Sequence, residues 1–573
     1  MQPDARPLPA LQRAYFYLVA LVAIVMVVLG VANLLRVGAE VMLSAFPGSF
    51  TGLWFLFWSF AERPGTVARE QASLAIALIA IGAPVWLFHF RAAERAARAS
   101  VAERASAMRS LYLHAVVFVT AFAVFGYGQR TLSLLLQGAF FGGPSPFGPG
   151  AFGLDPQWLA RAAGAGAMAV TAVPVLAYHL WLSSEDRRIA LFSGRAAQLR
   201  HLALYGLVVV GLAWGSYSAI NILTQIWEYT SDQIFNPGTT SGPPPGFPQR
   251  FPSREEFLTF NLLGVAPGIV AGFALWLGTW IPLQRGVRGA TPGAEIERRS
   301  SIRKLVVYLI VLFSAVGVLL DGTLALTAIG RRFLGDPIVE RFTTLYREVG
   351  TPIVAVVVLG AVWIFYRRVV AIDAGLETEQ ERAATIRRLY TYLIAGIGMG
   401  MLGLGLAGTV GVIGSQAMHI NTHKNSETAT YISIVLLGAP AWALSWWQAR
   451  RRLDDDERRS APRRGYLYLA ILAGVLGSLV FGAALLYRLL NATFAGSLFT
   501  VATWHDVWHF LVDASVSAAV FLYHYRVLRA DRGAQLPAVS PHAVTVVVRA
   551  SDPAAARARL AAVLEGQADI SLR

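Results

Sequence analysis

Apolar positions along the chain gather into twelve long runs separated by polar joints. The runs fall near 14–35, 71–90, 111–130, 162–182, 202–224, 260–283, 305–330, 349–366, 389–415, 429–447, 465–488 and 507–525. As helices, these can cross about 30 Å of hydrocarbon. Barrel strands would be shorter and would alternate in polarity. Lipid leaves no water for unpaired backbone groups, so the pattern predicts an all-α polytopic membrane protein with twelve transmembrane helices. The first run, flanked by Arg13, exceeds the apolar core of a signal peptide, about 7–15 residues, and reads as a retained span.

Composition agrees with lipid as the solvent. Hydrophobic residues make up 55% of the chain and charged residues only 14%, against about 25% charged in soluble domains, and the mean hydropathy is +0.52. The formal charge is +15, from 49 Lys+Arg and 34 Asp+Glu. In a soluble chain that excess would suggest nucleic acid. Here most basic residues lie at the N-terminus and after even-numbered runs, as in Arg450-Arg451-Arg452 and Arg458-Arg459. The positive-inside rule then places both termini in the cytoplasm and the protein in the cell membrane. The expected partners are anionic lipid headgroups and not nucleic acid; protein partners are not indicated. With no cysteine in the chain, disulfides, thiolate metal sites and cysteine nucleophiles are excluded.

The other joints are unlike the basic ones. Residues 138–157 and 232–254 are rich in Pro, Gly and Phe, which break regular structure and favour surface contact. From about Ala534 the composition shifts again. His542 to Ala550 alternates like a strand, Asp552-Pro553 opens a helix to about Glu565, and Ile570 and Leu572 suggest a second strand. This predicts a small α+β tail.

Short signatures recur along the runs. Odd-numbered runs open with a basic residue followed by aromatics, as in Arg13-Ala14-Tyr15-Phe16-Tyr17, Arg388-Leu389-Tyr390-Thr391-Tyr392 and Arg464-Gly465-Tyr466-Leu467-Tyr468. Weaker copies are Lys304 to Tyr308, His201 to Tyr205 and Ser110 to His114. Even-numbered runs share Pro84-Val85-Trp86 to His89, Pro174 to His179, Pro440-Ala441-Trp442, Trp363, Trp276 and Tyr523-His524. The chain therefore reads as six tandem parallel two-helix repeats, or three four-helix units over 1–188, 189–370 and 371–532, with the tail at 533–573. Snorkelling arginine with Tyr and Trp at headgroup depth is the simplest account of the signatures; an aromatic binding ring is the alternative.

With these motifs the chain resembles bacterial membrane proteins of the domain of unknown function numbered 5671. The Arg-x-Tyr-x-Tyr opening and the Gly-Ala-Pro-x-Trp helix carry the likeness, strongest in 386–452 and weakest in 200–285. It would cover about 8–530 as three tandem copies. The resemblance implies an integral bacterial inner-membrane protein and no established activity or site.

Candidate chemistry is sparse. Asp321 and Asp513 stand inside apolar runs, where charge is expensive and tends to be paired or functional; a structural ion pair or a water-facing carboxylate is the plainer reading. With Arg130, Asn33 and Asn221 they form a candidate intramembrane polar path. His419 and His423, like His505 and His509, are spaced four apart, as two metal ligands on one helical face would be. Interfacial histidines are the plainer reading, and His505-Asp506-Val507-Trp508-His509 lacks the glutamate of a zinc protease. No phosphate loop, dinucleotide fingerprint or nucleophile elbow occurs, so no cofactor and no catalytic residue is expected. The sequence leaves three functions: a transporter or channel-like permeation protein, a non-catalytic scaffold or sensor binding partners or lipid, and a membrane-embedded lipid-modifying enzyme.

Overall fold

The computed structural model describes residues 8–43, 64–141, 158–190, 193–235, 253–288, 297–335 except 299, 344–375, 381–419, 425–533 except 452, and 552–564. Every element among them is a helix. In chain order these are α1 Ala10–Met42, α2 Pro64–Ala99, the short α3 Val101–Arg104, α4 Ala107–Phe141 and α5 Trp158–Ile189. Then come α6 Gly194–Phe235, α7 Arg254–Arg288, α8 Ser301–Phe333 and α9 Leu345–Gly375. Next are α10 Glu381–Ala417, α11 Asn425–Arg451, the short α12 Asp455–Arg459, α13 Ala461–Phe494 and α14 Val501–Gly533. Last is α15 Pro553–Leu564. Among the described residues, twelve helices are long and apolar enough to cross a membrane, and the chain is a polytopic helical membrane protein.

Successive long helices pack as antiparallel hairpins: α1–α2, α4–α5, α6–α7, α8–α9, α10–α11 and α13–α14. Hairpins then pair, because α1 packs on α5, α6 on α9 and α10 on α14. Neighbouring groups join through their third helix: α4 lies against α6 and α7, and α8 against α10 and α11. Glycine permits the closest crossings. A Cβ on Gly272 of α7 would lie 2.3 Å from the Gly215 nitrogen of α6, and one on Gly398 of α10 would lie 2.4 Å from the Trp442 nitrogen of α11. This is the small-residue contact that drives helix association where no hydrophobic effect operates.

The apolar cores lie toward the ends that carry the basic joints. One gathers Tyr17, Phe90, Leu113 and Leu182, a second Tyr205, Trp280, Val307 and Tyr366, and a third Tyr392, Trp446, Leu467 and Leu528. Farther along the helices, large side chains such as Phe313, Leu404 and Leu479 are exposed, as suits a lipid-facing wall.

The internal prolines Pro84, Pro174 and Pro440 sit inside continuous helices. In the tail, Asp552 caps α15 by accepting from the Ala554 nitrogen at 2.9 Å. The strand candidates at His542 to Ala550 and at Ile570 and Leu572 lie outside the described residues.

Candidate functional site

The most elaborate polar structure is a buried charge network that occurs three times at one end of the helices. Its centre is an arginine in the first turns of α4, α8 and α13. Arg109 donates from Nε to Asp186 at 2.5 Å and from Nη2 to Glu94 at 2.8 Å, and its Nη1 lies 3.4 Å from the Tyr17 hydroxyl. Arg303 reaches Asp373 at 2.9 Å, Gln284 at 2.7 Å and the Tyr205 hydroxyl at 3.0 Å. Arg463 reaches Asp531 at 2.7 Å and the Tyr392 hydroxyl at 3.1 Å. All three arginines are at most 1% exposed. The guanidinium fork suits this task because it pairs with a carboxylate through two parallel donors.

A glutamate in each connector extends the network to the first helix. Glu103 takes Arg13 at 2.8 Å. Glu457 takes Arg388 at 2.6 Å and the Tyr392 hydroxyl at 2.7 Å. Glu297 takes His201 at 2.8 Å, the Tyr205 hydroxyl at 2.9 Å and Arg200 at 3.1 Å. Burial alone would raise the Glu297 carboxyl, but the hydrogen bond and charge of His201, the charge of Arg200 and the Tyr205 hydroxyl outweigh it and hold the group at about 2. Serine closes the turn between glutamate and arginine. Ser106 and Ser300 accept from the Arg109 and Arg303 nitrogens, each at 3.3 Å, as helix caps, whereas Ser460 donates to the Glu457 carbonyl at 2.8 Å.

Next to each network lies an aromatic relay. Trp86 donates to the Tyr112 hydroxyl at 3.1 Å, Tyr112 lies 3.2 Å from His179 Nε2, and His179 Nδ1 lies 2.8 Å from the Val175 carbonyl. Trp442, Tyr466, His524 and the Val520 carbonyl repeat it at 3.2, 3.0 and 2.7 Å. A carbonyl at Nδ1 requires the proton there, so Nε2 accepts from tyrosine and tyrosine from tryptophan. Every group in the relay is then satisfied with a neutral imidazole. In the middle group Val306 and Tyr366 replace the tyrosine and histidine, and Trp276 donates directly to Tyr366 at 2.9 Å.

The aromatic signatures of the sequence thus divide by helical face. Tyr15 and Tyr468 are 55% and 49% exposed, as anchors would be, whereas Tyr17, Tyr205 and Tyr392 are buried in the network. The basic register of the third helix also differs from the sequence reading by one residue. Arg109, Arg303 and Arg463 are the network residues, not Ser110, Lys304 and Arg464. Their aspartate partners Asp186, Asp373 and Asp531 carry a spacing signal of their own, since each stands seven positions after the His179, Tyr366 or His524 column.

The polar-path candidates are spread over several helices. Asn33 is buried and donates to the Gln71 carbonyl at 3.0 Å, while Arg36 donates to Asn33 at 2.9 Å and to Glu40 at 2.8 Å. This buried cluster at the far end of α1 was not legible in the sequence, since Arg36 and Glu40 lie past the apolar run. Asn221 donates to its own helix, to the Tyr217 carbonyl at 2.9 Å. Arg130 is exposed; Asp321 and Asp513 are half-buried. Among the described residues neither carboxylate makes a hydrogen bond or ion pair.

Of the histidine candidates, His505 and His509 stack edge-on at 4.7 Å. His509 bonds Ser415 at 3.0 Å, His505 lies 3.5 Å from Asp506, and Asp506 pairs with Arg488 at 2.8 Å. His419 stands at the end of α10 with a positive φ of 56°, and His423 lies outside the described residues. Among those residues, no group of three or more His, Asp or Glu converges as a metal site would.

Among the described residues, three cavities lie between these helices. One of about 270 Å³ lies between α8, α9, α10 and α11, lined by Arg367, Arg387, Arg388 and Tyr308 among others. A second, of about 520 Å³, adjoins it at Arg387, Arg388 and Glu457. A third, of about 1000 Å³, is an apolar groove between the opposite ends of α6 and α9, lined by Trp227, Phe235, Tyr346 and Val357. Asp321 and Asp513 line none of the three.

The profile of the family described as a domain of unknown function (DUF5671) matches residues 13–148, 263–361 and 388–523. The first and third segments hold the complete opening signature with Arg13 and Tyr17, and with Arg388 and Tyr392. The second begins after His201, where that signature is weakest. No curated protein and no solved structure matches the chain. Matched in three successive segments over more than half of its length, the chain belongs to the DUF5671 family.

Proposed function

We propose that the protein is a non-catalytic membrane scaffold that holds anionic lipid on the face bearing its termini. In this reading 1–188, 189–370 and 371–532 are three four-helix units, both termini are cytoplasmic, and the basic joints lie against the inner leaflet. The observation that carries it is the threefold buried network. It ties the first, third and fourth helix of each group together at one end and uses its charges on one another. Fully paired buried networks rigidify a bundle, which suits a platform more than a moving gate.

One observation favours permeation instead. Asp321 and Asp513 are carboxylates within spanning helices that make no hydrogen bond or ion pair among the described residues, and such groups commonly mark ion or proton paths. Flux measured in proteoliposomes separates the readings. The scaffold reading expects the native protein and the Asp321→Asn and Asp513→Asn variants to leave proton and ion leak at the level of empty vesicles. A leak carried by the native protein and abolished by either substitution would replace it with a pathway.

A further inference from the structure

We propose that the seam where α8 and α9 meet α10 and α11 binds the phosphate of an anionic phospholipid. This rests on the scaffold reading and gives its lipid a defined site.

The seam collects arginine from three helices. Arg367 comes from the last turns of α9, Arg387 and Arg388 from the second turn of α10, and Arg451 from the end of α11, all lining the two joined cavities. Two carboxylates oppose them. Glu457 is already taken by Arg388 and Tyr392, and Asp454 caps α12 by accepting from the Glu457 nitrogen at 2.6 Å. Four arginines against these two carboxylates leave the lining net positive, which favours an anion. Two of the arginines stand on aromatic platforms: Arg367 lies 5.1 Å from the centre of Trp363, and Arg451 lies 3.6 Å from that of Trp447. Stacking uses the face of a guanidinium and leaves its in-plane donors for phosphate oxygens.

The corresponding seam between α4–α5 and α6–α7 is built differently, and the contrast points to a ligand. There Ser110 donates to the Ala196 carbonyl at 2.7 Å, Ser183 lies 3.2 Å from His114 Nε2, and Arg200 is engaged by Glu297. Leu180 occupies the place, six residues before the network aspartate, where the other seam has Arg367. The second seam thus has Arg367 facing its cavity where the first has Leu180, while the first places Arg187 near Arg200 and Glu297 instead.

A lipid fits this cavity better than free phosphate. Its walls beyond the arginines are mainly apolar, with Val311, Val370, Ala371 and Ala449 beside Thr391, Gln448 and Glu457. It also sits toward the ends of α9, α10 and α11 that carry the basic joints, where the orientation proposed above would put the inner leaflet's headgroups. Basic pockets between spanning helices take anionic headgroups in this way.

The test is native mass spectrometry of the delipidated full-length protein titrated with phosphatidylglycerol or phosphatidylcholine, followed by thermal unfolding with each. Phosphatidylglycerol should bind about tenfold or more tightly than phosphatidylcholine, and Arg367→Glu with Arg387→Glu should remove that preference. Arg526→Glu with Arg529→Glu, the same charge change on exposed residues of α14, should keep it. Equal retention of the two lipids, or equal loss in both variants, overturns the site. If the glutamate pair does not fold, Arg367→Gln with Arg387→Gln gives the same reading. Inorganic phosphate raising the unfolding temperature as much as phosphatidylglycerol would overturn the lipid and leave free phosphate as occupant. Failure here with vesicles still tight removes only the site, whereas flux through the native protein defeats the scaffold reading whatever the seam binds.

Discussion

Arg109, Arg303 and Arg463 each combine nearly complete burial with an aspartate, a tyrosine and a connector glutamate close by. A buried ion pair adds little over a well-packed apolar pair, but losing one partner strands the other charge. Asp186→Asn or Arg109→Met alone should therefore cost about 3–5 kcal/mol. The combined Arg109→Met/Asp186→Leu protein should recover more than half of that in detergent unfolding curves. Additive losses would show that the pair is not coupled. Glu297 makes a pH-dependent contribution. Its carboxyl is held at about 2, below an unfolded value of about 4.3. Its stabilisation is complete above pH about 4.3 and is lost as pH falls toward 2. Glu297→Gln should lower stability at pH 7 by up to about 3 kcal/mol and flatten the decline between those two pH values. An unchanged acid limb in the unfolding temperature would contradict the assignment. At this scale the sequence was half legible. Arg13, Arg388, Tyr17 and Tyr392 announced themselves by spacing, but spacing alone could not separate the buried Tyr17 from the exposed Tyr15. Asp186, Asp373 and Asp531 lie in basic joints, where a single acid looks like ordinary surface.

At the scale of the helix, apolar length determined the outcome. All twelve runs became helices that extend beyond them, because the polar turns at each end continue the backbone ladder, at one end into the network. The signature prolines Pro84, Pro174 and Pro440 stand inside unbroken helices, a placement that membrane helices tolerate. Glycine has a clearer role, at the hairpin crossings. Gly272→Leu would drive a side chain into the backbone of α6. It should destabilise the protein by about 1–3 kcal/mol or more, while the same change at Gly278, which has open space around it, should be nearly neutral. Thermal shift and elution profile of the two variants provide the comparison; equal behaviour would remove the close-packing account. These contacts were not readable beforehand because 53 glycines are spread along the chain, and only the crossing geometry selects a few.

At the scale of the molecule, twelve helices were legible from the length of the apolar runs. The seam cavity was not, because it arises where two repeated groups meet and depends on how Arg367 and Tyr308 replace Leu180 and His114. The account depends on all three networks and the seam lying on one membrane face. The chain has no cysteine, so single cysteines can report sidedness without background. With a membrane-impermeant maleimide on sealed vesicles of known orientation, Ala99→Cys, Ser193→Cys and Asp456→Cys should label together from one side, and Met42→Cys and Ala495→Cys only from the other. Any member of the first set labelling with the second would contradict the threading on which the networks and the lipid site depend.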